Sequence, residues 1–309
     1  MCIRDSPWGA RDLSPIYPGH RCEKPVGEVW LTGDDNRISN GPLAGRTLGE
    51  LCREYGRALV GDSARATERF PLLIKFLFPR EKLSVQVHPD DEAARRAGQP
   101  CGKNECWYVL AADPGAQVAL GLKPGVTREQ LARAIQEVRA EELLNWVEIH
   151  AGEMIYVDAG TVHTIGPGSI LVETQQNSDT TYRLYDYGRP REIHIEQGLA
   201  ATKERTRAGK VKRNEGATTL LASPSFLVEK FALNEMRCFE AAHSPQIFLA
   251  LDGAGAAESQ GGAAVSFARG DALVVPAAVA QVGIRPHQDL EMLRITLPAS
   301  VLGDPETAL

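Results

Sequence analysis

Two stretches of this chain echo one another, and the echo limits the folds open to it. Gly152-Glu-Met-Ile-Tyr-Val-Asp-Ala-Gly-Thr-Val-His163 and Gly270-Asp-Ala-Leu-Val-Val-Pro-Ala-Ala-Val-Ala-Gln281 share one order: Gly, an acid, a short aliphatic run ending in Val, then a turn of small residues. Each fits a strand entered through a glycine turn, so the two halves are expected to hold the same β unit. Where the first copy has His163, the second has Gln281. Cys106 to Leu110 and Ile170 to Thr174 are similar short β runs, and Leu72 to Val87, broken by Pro79, reads as two strands. The expected class is mainly β, as two small barrels or jelly rolls with helical insertions.

The helices announce themselves by their caps. Thr47 and Glu50 form a capping-box pair ahead of Leu48, Leu51, Cys52, Tyr55 and Leu59, and Thr127 and Gln130 do the same ahead of Leu131, Ala134, Ile135 and Val138. Helical segments are therefore expected at about 47–62 and 127–145. No G-x-G-x-x-G or Walker sequence opens a helix, which disfavours a doubly wound α/β sheet.

A length of 309 residues suits two domains, expected at 7–207 and 208–309. Residues 1–6 bear no relation to the Pro7-Trp8-Gly9 that follows and are expected to be a non-native scar, so they carry no weight in the fold reading. The net charge of −6 argues against nucleic acid or an anionic membrane as partner. The basic run of Lys203, Arg205, Arg207, Lys210, Lys212 and Arg213 reads as a solvated linker. With no spanning apolar stretch, no signal peptide and six scattered cysteines, the chain is expected to be cytoplasmic, with reduced thiols.

Alternation in Leu83-Ser-Val-Gln-Val-His-Pro89 puts Ser84, Gln86 and His88 on one face. Lys103 and Glu105 share a face at the mouth of the strand through Trp107, and His163 ends the Met154 to Val157 unit at a barrel rim. Gln86, His88, Glu105 and His163 together offer two imidazole nitrogens and two oxygens. That set suits Zn²⁺, with Mn²⁺, Co²⁺ or Fe²⁺ also open, and a free position would make it catalytic. Glu173 lies within an aliphatic strand, where a carboxylate is either paired, functional or turned to solvent by alternation.

The segments S-V-Q-V-H-P-D-D (84–91), G-K-N-E-C-W-Y (102–108), G-T-V-H (160–163) and Q-N-S-D-T-T-Y-R-L-Y-D-Y (176–187) resemble the type I phosphomannose isomerases of the cupin superfamily. G-E-V-W (27–30), N-G-P-L-A-G-R-T-L (40–48) and K-P-G-V-T (123–127) extend the resemblance over most of the chain. It implies two cupin-type barrels, the first catalytic and the second free of metal. It further implies one zinc per chain on Gln86, His88, Glu105 and His163, a catalytic Arg183, and active-site positions for Lys103, Glu173 and Asp179. The implied reaction interconverts mannose 6-phosphate and fructose 6-phosphate, with these sugar phosphates as the partners. Another metal-dependent cupin enzyme, or a sugar-binding cupin without turnover, is the alternative. Arg189 and Arg191 are further cations that could meet the phosphate.

Overall fold

The computed structural model describes residues 2–62, 68–212, 214 and 216–298. Met1, Arg213 of the basic run and the end of the expected second domain from 299 lie outside the described residues. Strands β1 (Cys2–Asp12) and β2 (Arg21–Trp30) are followed by helices α1 (Leu48–Tyr55) and α2 (Arg57–Val60), then by β3 (Leu72–Leu77) and β4 (Val85–Val87). Next come α3 (Asp91–Arg96), β5 (Glu105–Ala112), β6 (Gln117–Leu122), α4 (Arg128–Gln136) and a 3-10 turn at Ala140–Leu143. Strands β7 (Leu144–Glu148), β8 (Met154–Val157), β9 (His163–Ile165), β10 (Ser169–Gln176) and β11 (Tyr182–Tyr185) follow, and α5 (Ile195–Ala201) and β12 (Gly209–Lys210) close this half.

Both expected capping boxes form: Thr47 Oγ1 accepts from Glu50 N and Thr127 Oγ1 from Gln130 N, while each N3 side chain bonds back to the cap. Gly56 divides the first helical segment into α1 and α2. Residues 2–6, set apart above as a non-native scar, form the opening of β1, where Cys2 pairs with Trp30 and Ile3 with Val29. Backbone pairing needs extended chain and not any one side-chain identity, so unfamiliar residues enter a ladder readily.

The strands form a sheet in the order β1-β2-β3-β10-β5-β8-β12 and a second in the order β11-β4-β9-β6-β7. Trp107, Val109, Leu171 and Val157 of the first meet Val118, Leu120 and Ile165 of the second in one buried cluster. On its far side the second sheet is covered through Val85, Val87 and Leu184, packed with Leu131 of α4. Period-two alternation then dictates where the site goes. The strand faces that place Leu77, Trp107 and Leu171 between the sheets also place Lys75, Glu105 and Glu173 there, toward one end.

The rest of the chain repeats the plan with β13 (Thr219–Ala222), β14 (Leu227–Leu233), β15 (Arg237–Glu240), β16 (Gln246–Asp252) and β17 (Ala254–Ser259). It ends with β18 (Val265–Ala268), β19 (Ala272–Val275), β20 (Gln281–Pro286) and β21 (Leu290–Thr296). The sheets run β13-β14-β21-β16-β19 and β15-β20-β17-β18. The order β14-β21-β16-β19 thus reproduces β3-β10-β5-β8, and β15-β20-β17-β18 reproduces β4-β9-β6-β7. The echo of the sequence maps onto β8–β9 and β19–β20. One further core cluster joins the halves: Leu51, Phe70 and Ile74 pack with Phe226, Val228 and Ile247.

The basic run is tied down at two points. Lys203 meets Asp90 at 3.0 Å, and Lys210 lies in β12, which pairs with β8 of the first half, and meets Glu153 at 2.7 Å.

Candidate active site

Gln86 and His163 stand opposite each other across β4 and β9, and His88 follows two residues on, with its ring buried. Glu105 opens β5 beside Val157, the last residue of β8. The ligating atoms of His88, Glu105 and His163 lie within 4.8 Å of one another. His88 Nε2 is 3.4 Å from Glu105 Oε2, and His163 Nε2 is 3.2 Å from Glu105 Oε1. Each imidazole is aimed by its other nitrogen: His88 Nδ1 donates to Thr180 O and His163 Nδ1 to Thr161 O, both at 2.9 Å. This leaves both Nε2 atoms facing the carboxylate as lone-pair donors.

The donor set fits a divalent ion. Glu105 Oε2 is buried without a well-formed hydrogen bond, with Lys103 Nζ 3.1 Å away, so its lone pairs remain open to a metal ion. Gln86 Nε2 is 3.2 Å from His163 Nε2 while Oε1 accepts from Ser84 Oγ at 3.1 Å, so Gln86 joins the donor set with its amide turned over and Oε1 toward the ion. Two imidazoles, a carboxylate and an amide favour Zn²⁺ over Mg²⁺ or Ca²⁺, which prefer all-oxygen cages. Burial, and next the Lys103 charge, push His88 down to about 3, and burial lowers His163 as well. Both rings are thereby kept in the neutral, metal-binding form. Burial works against the Glu105 charge, yet the Lys103 ammonium beside it outweighs burial and holds the carboxyl well below its usual range.

Beside these ligands a cavity of about 140 Å³ is walled by Ser6 and Trp8 of β1, by Lys103 and Glu173, and by Asp179 and Arg183 on the far side. Lys103 Nζ lies 3.0 Å from His88 Nε2, 3.1 Å from Glu105 Oε2 and 3.6 Å from Glu173 Oε1. Glu173 faces this cavity and not solvent: its side chain is 4% exposed. Burial first, and then Glu105, push it up to about 8 against the pull of Lys75. Arg183 donates from Nη1 to Glu192 O at 2.8 Å, and its buried Nε has no partner. Burial and then the charge of Arg191 lower its pKa, so two cations flank the cavity with room for an anion. Arg191 lines the cavity and meets both oxygens of Asp186 at 2.6 Å; Arg189 is drawn away to Asp186 and Lys82 O.

Of the residues expected from the sequence, Gln86, Lys103, Glu105, Glu173, Asp179, Arg183 and Arg191 line this cavity, His88 and His163 face Glu105 beside it, and Arg189 does not reach it. Missed were Glu28 and Lys75, and Ser6 with the scar. Lys75 left a signal, because a lysine inside the apolar run Leu72–Leu77 is costly to bury unless paired. It stands opposite Glu173 across β3 and β10 and lies 3.4 Å from Glu173 Oε2 and 3.3 Å from Glu28 Oε2.

Residues 10–116 match the model of the phosphomannose isomerase type I catalytic domain. The mannose-6-phosphate isomerase of Streptococcus mutans is 37% identical over 242 residues, which span 74% of this chain and 75% of that protein. The chain belongs to the type I phosphomannose isomerase family. A second family member, mannose-6-phosphate isomerase ManA of Bacillus subtilis, is 39% identical over 206 residues, or 62% of this chain and 63% of that one. The crystal structure of the mannose 6-phosphate isomerase from Bacillus subtilis superposes with a TM-score of 0.84 at 29% identity, covering 96% of this chain and 98% of that chain. The family fold is thus present as two cupin-type units.

Proposed function

We propose that this chain interconverts mannose 6-phosphate and fructose 6-phosphate, using one zinc ion held by Gln86, His88, Glu105 and His163. The observation that carries the reading is the meeting of His88, Glu105 and His163 within 4.8 Å, beside a cavity that also holds Lys103, Glu173 and Arg183. Aldose–ketose isomerisation takes a proton from C2 of the open-chain sugar and returns it at C1, and negative charge builds on the oxygens between. Gln86, His88, Glu105 and His163 would hold the zinc ion, which would supply Lewis-acid polarisation.

The chain's own residues do the rest. Glu173 removes the C2 proton and delivers it to C1; a carboxyl pushed up to about 8 is well matched to a base working near neutrality. Arg183 presents a fixed guanidinium, which stabilises the developing enediolate without having to reorganise. Lys103, between Glu105 and Glu173, holds the base in place and can pass a proton among the oxygens. Arg191 is the cation placed to meet the phosphate. Free cysteines throughout support a cytoplasmic setting, and no helix among the described residues is long and apolar enough to cross a membrane.

The test is to follow fructose 6-phosphate formation from mannose 6-phosphate by zinc-supplemented protein, with a chelated sample alongside. Metal-dependent conversion is the expected result. A folded, zinc-loaded sample that converts nothing overturns the reading and returns the choice to another cupin substrate or to a binding protein.

A further inference from the structure

Both halves of the chain carry the same buried polar row, built from different side chains, and the difference singles out Glu28. Glu105 and Gln246 pair with Val157 and Val275, which occupy matching places in the repeated segment. Glu173 and Arg294 each stand across from the residue two further along, Trp107 and Phe248. In the next strand Lys75 faces Glu173, and Glu229 faces Arg294. The two barrels therefore hold an ion pair at the same place with its signs reversed.

In the second half that pair is closed. Arg294 meets Glu229 at 2.9 Å and donates from Nε to Gln246 Oε1 at 2.8 Å. In the first half it is looser: Lys75 is shared between Glu173 Oε2 at 3.4 Å and Glu28, and Glu173 Oε1 has no hydrogen bond, with Lys103 Nζ 3.6 Å away. Glu28 is itself fixed by the indole N–H of Trp30, which donates to Oε2 at 2.6 Å. Among the described residues the second half has no strand position for such a residue. Strand β13 begins at Thr219, opposite Glu229, and stops short of the place that Glu28 takes in β2.

We propose that Glu28 is a positioning residue for isomerisation: by dividing the charge of Lys75 it keeps Glu173 out of a closed ion pair and leaves Oε1 for the substrate. The proposal rests on the reading of Glu173 as the proton-transferring base. Glu28 acts through Lys75 and makes no contact with the metal ligands.

The experiment is a double-mutant cycle of Glu28→Gln and Glu173→Gln in the zinc-loaded full chain, reading kcat, KM, zinc content and the melting temperature of the zinc-free protein. Glu28→Gln is expected to lower kcat about tenfold, as a small misplacement of a reacting group does, while KM and zinc content hold. The melting temperature is expected to hold too, because Lys75 and Glu173 can close on each other as Glu229 and Arg294 do. In the Glu173→Gln background the same change is expected to have no further effect. Unchanged kcat in the parent, or an equal loss in both backgrounds, overturns the proposal. If Glu173→Gln alone keeps full kcat, the reading of the base fails, and the proposal falls with it by a separate observation. Should Glu28→Gln fail to fold, Glu28→Asp keeps the charge but draws the carboxylate back by one methylene. The cycle is then read with that variant, and full kcat overturns the proposal.

Discussion

Gln86 and His163 face one another across β4 and β9 with side-chain nitrogens 3.2 Å apart, and the matching pair in the second half, Glu240 and Gln281, is a direct hydrogen bond of 2.7 Å. Both barrels join this pair through their side chains, but the first uses an imidazole where the second has an amide. Replacing His163 by the residue of its counterpart, His163→Gln, is expected to weaken zinc binding by about 100-fold or more, above the range seen for lost outer-shell partners. Competition with a chromophoric chelator measures this. An unchanged affinity would remove His163 from the ligand set.

Arg183→Ala is expected to lower kcat by about 100-fold, the scale of losing one preorganised charge donor. Zinc content should stay at the parent level, because Arg183 meets the ligand Gln86 through the β11–β4 backbone ladder, which truncation of the side chain keeps. Steady-state kinetics with metal analysis checks both, and parent-level kcat would reject the catalytic role.

The acid limb of stability should report on His88. Its pKa in the fold, about 3, lies below the ordinary value of 6.5, so over that range the unfolded chain binds more protons than the folded one. The stability concerned is full above 6.5 and is lost as the pH falls toward 3. His163 shifts in the same direction. Thermal melting of zinc-free protein is expected to decline as the pH drops below 6.5, and His88→Gln should make that decline shallower. Equal slopes would show that His88 plays no part in it.

Gly27 is a point of close approach, where an added Cβ would stand 2.5 Å from both Ser6 Cβ and Trp8 Cη2. Gly27→Ala must therefore push β1 outward at the cavity wall, at an overpacking cost of about 1–3 kcal/mol. A raised KM together with a lower melting temperature is the expected outcome. Loss of stability with KM unchanged would mean that β1 takes no part in holding the substrate.

What could be read in the sequence was what is local. Thr47 with Glu50 and Thr127 with Gln130 signal helix starts at a spacing of three, and the repeated Gly-acid-aliphatic segment signals a duplicated strand pair. The metal donors were visible because His and Glu on short strands are chemically conspicuous. Lys75 and Glu28 were not read as site residues, because their roles depend on the sheet order β2-β3-β10-β5, which brings together residues far apart in the chain. No spacing rule predicts such an order. Ser6 was hidden differently: its neighbours look foreign, yet the ladder with β2 accepts them.

The cluster shared by Leu51, Phe70, Phe226 and Ile247 means that the metal-bearing half is not a portable module. A truncation before β13 would leave Leu51, Phe70 and Ile74 uncovered, a broad apolar face of the kind that drives aggregation. Minimising this enzyme, or grafting its site elsewhere, would therefore have to carry the second barrel along or redesign the surface it now shelters.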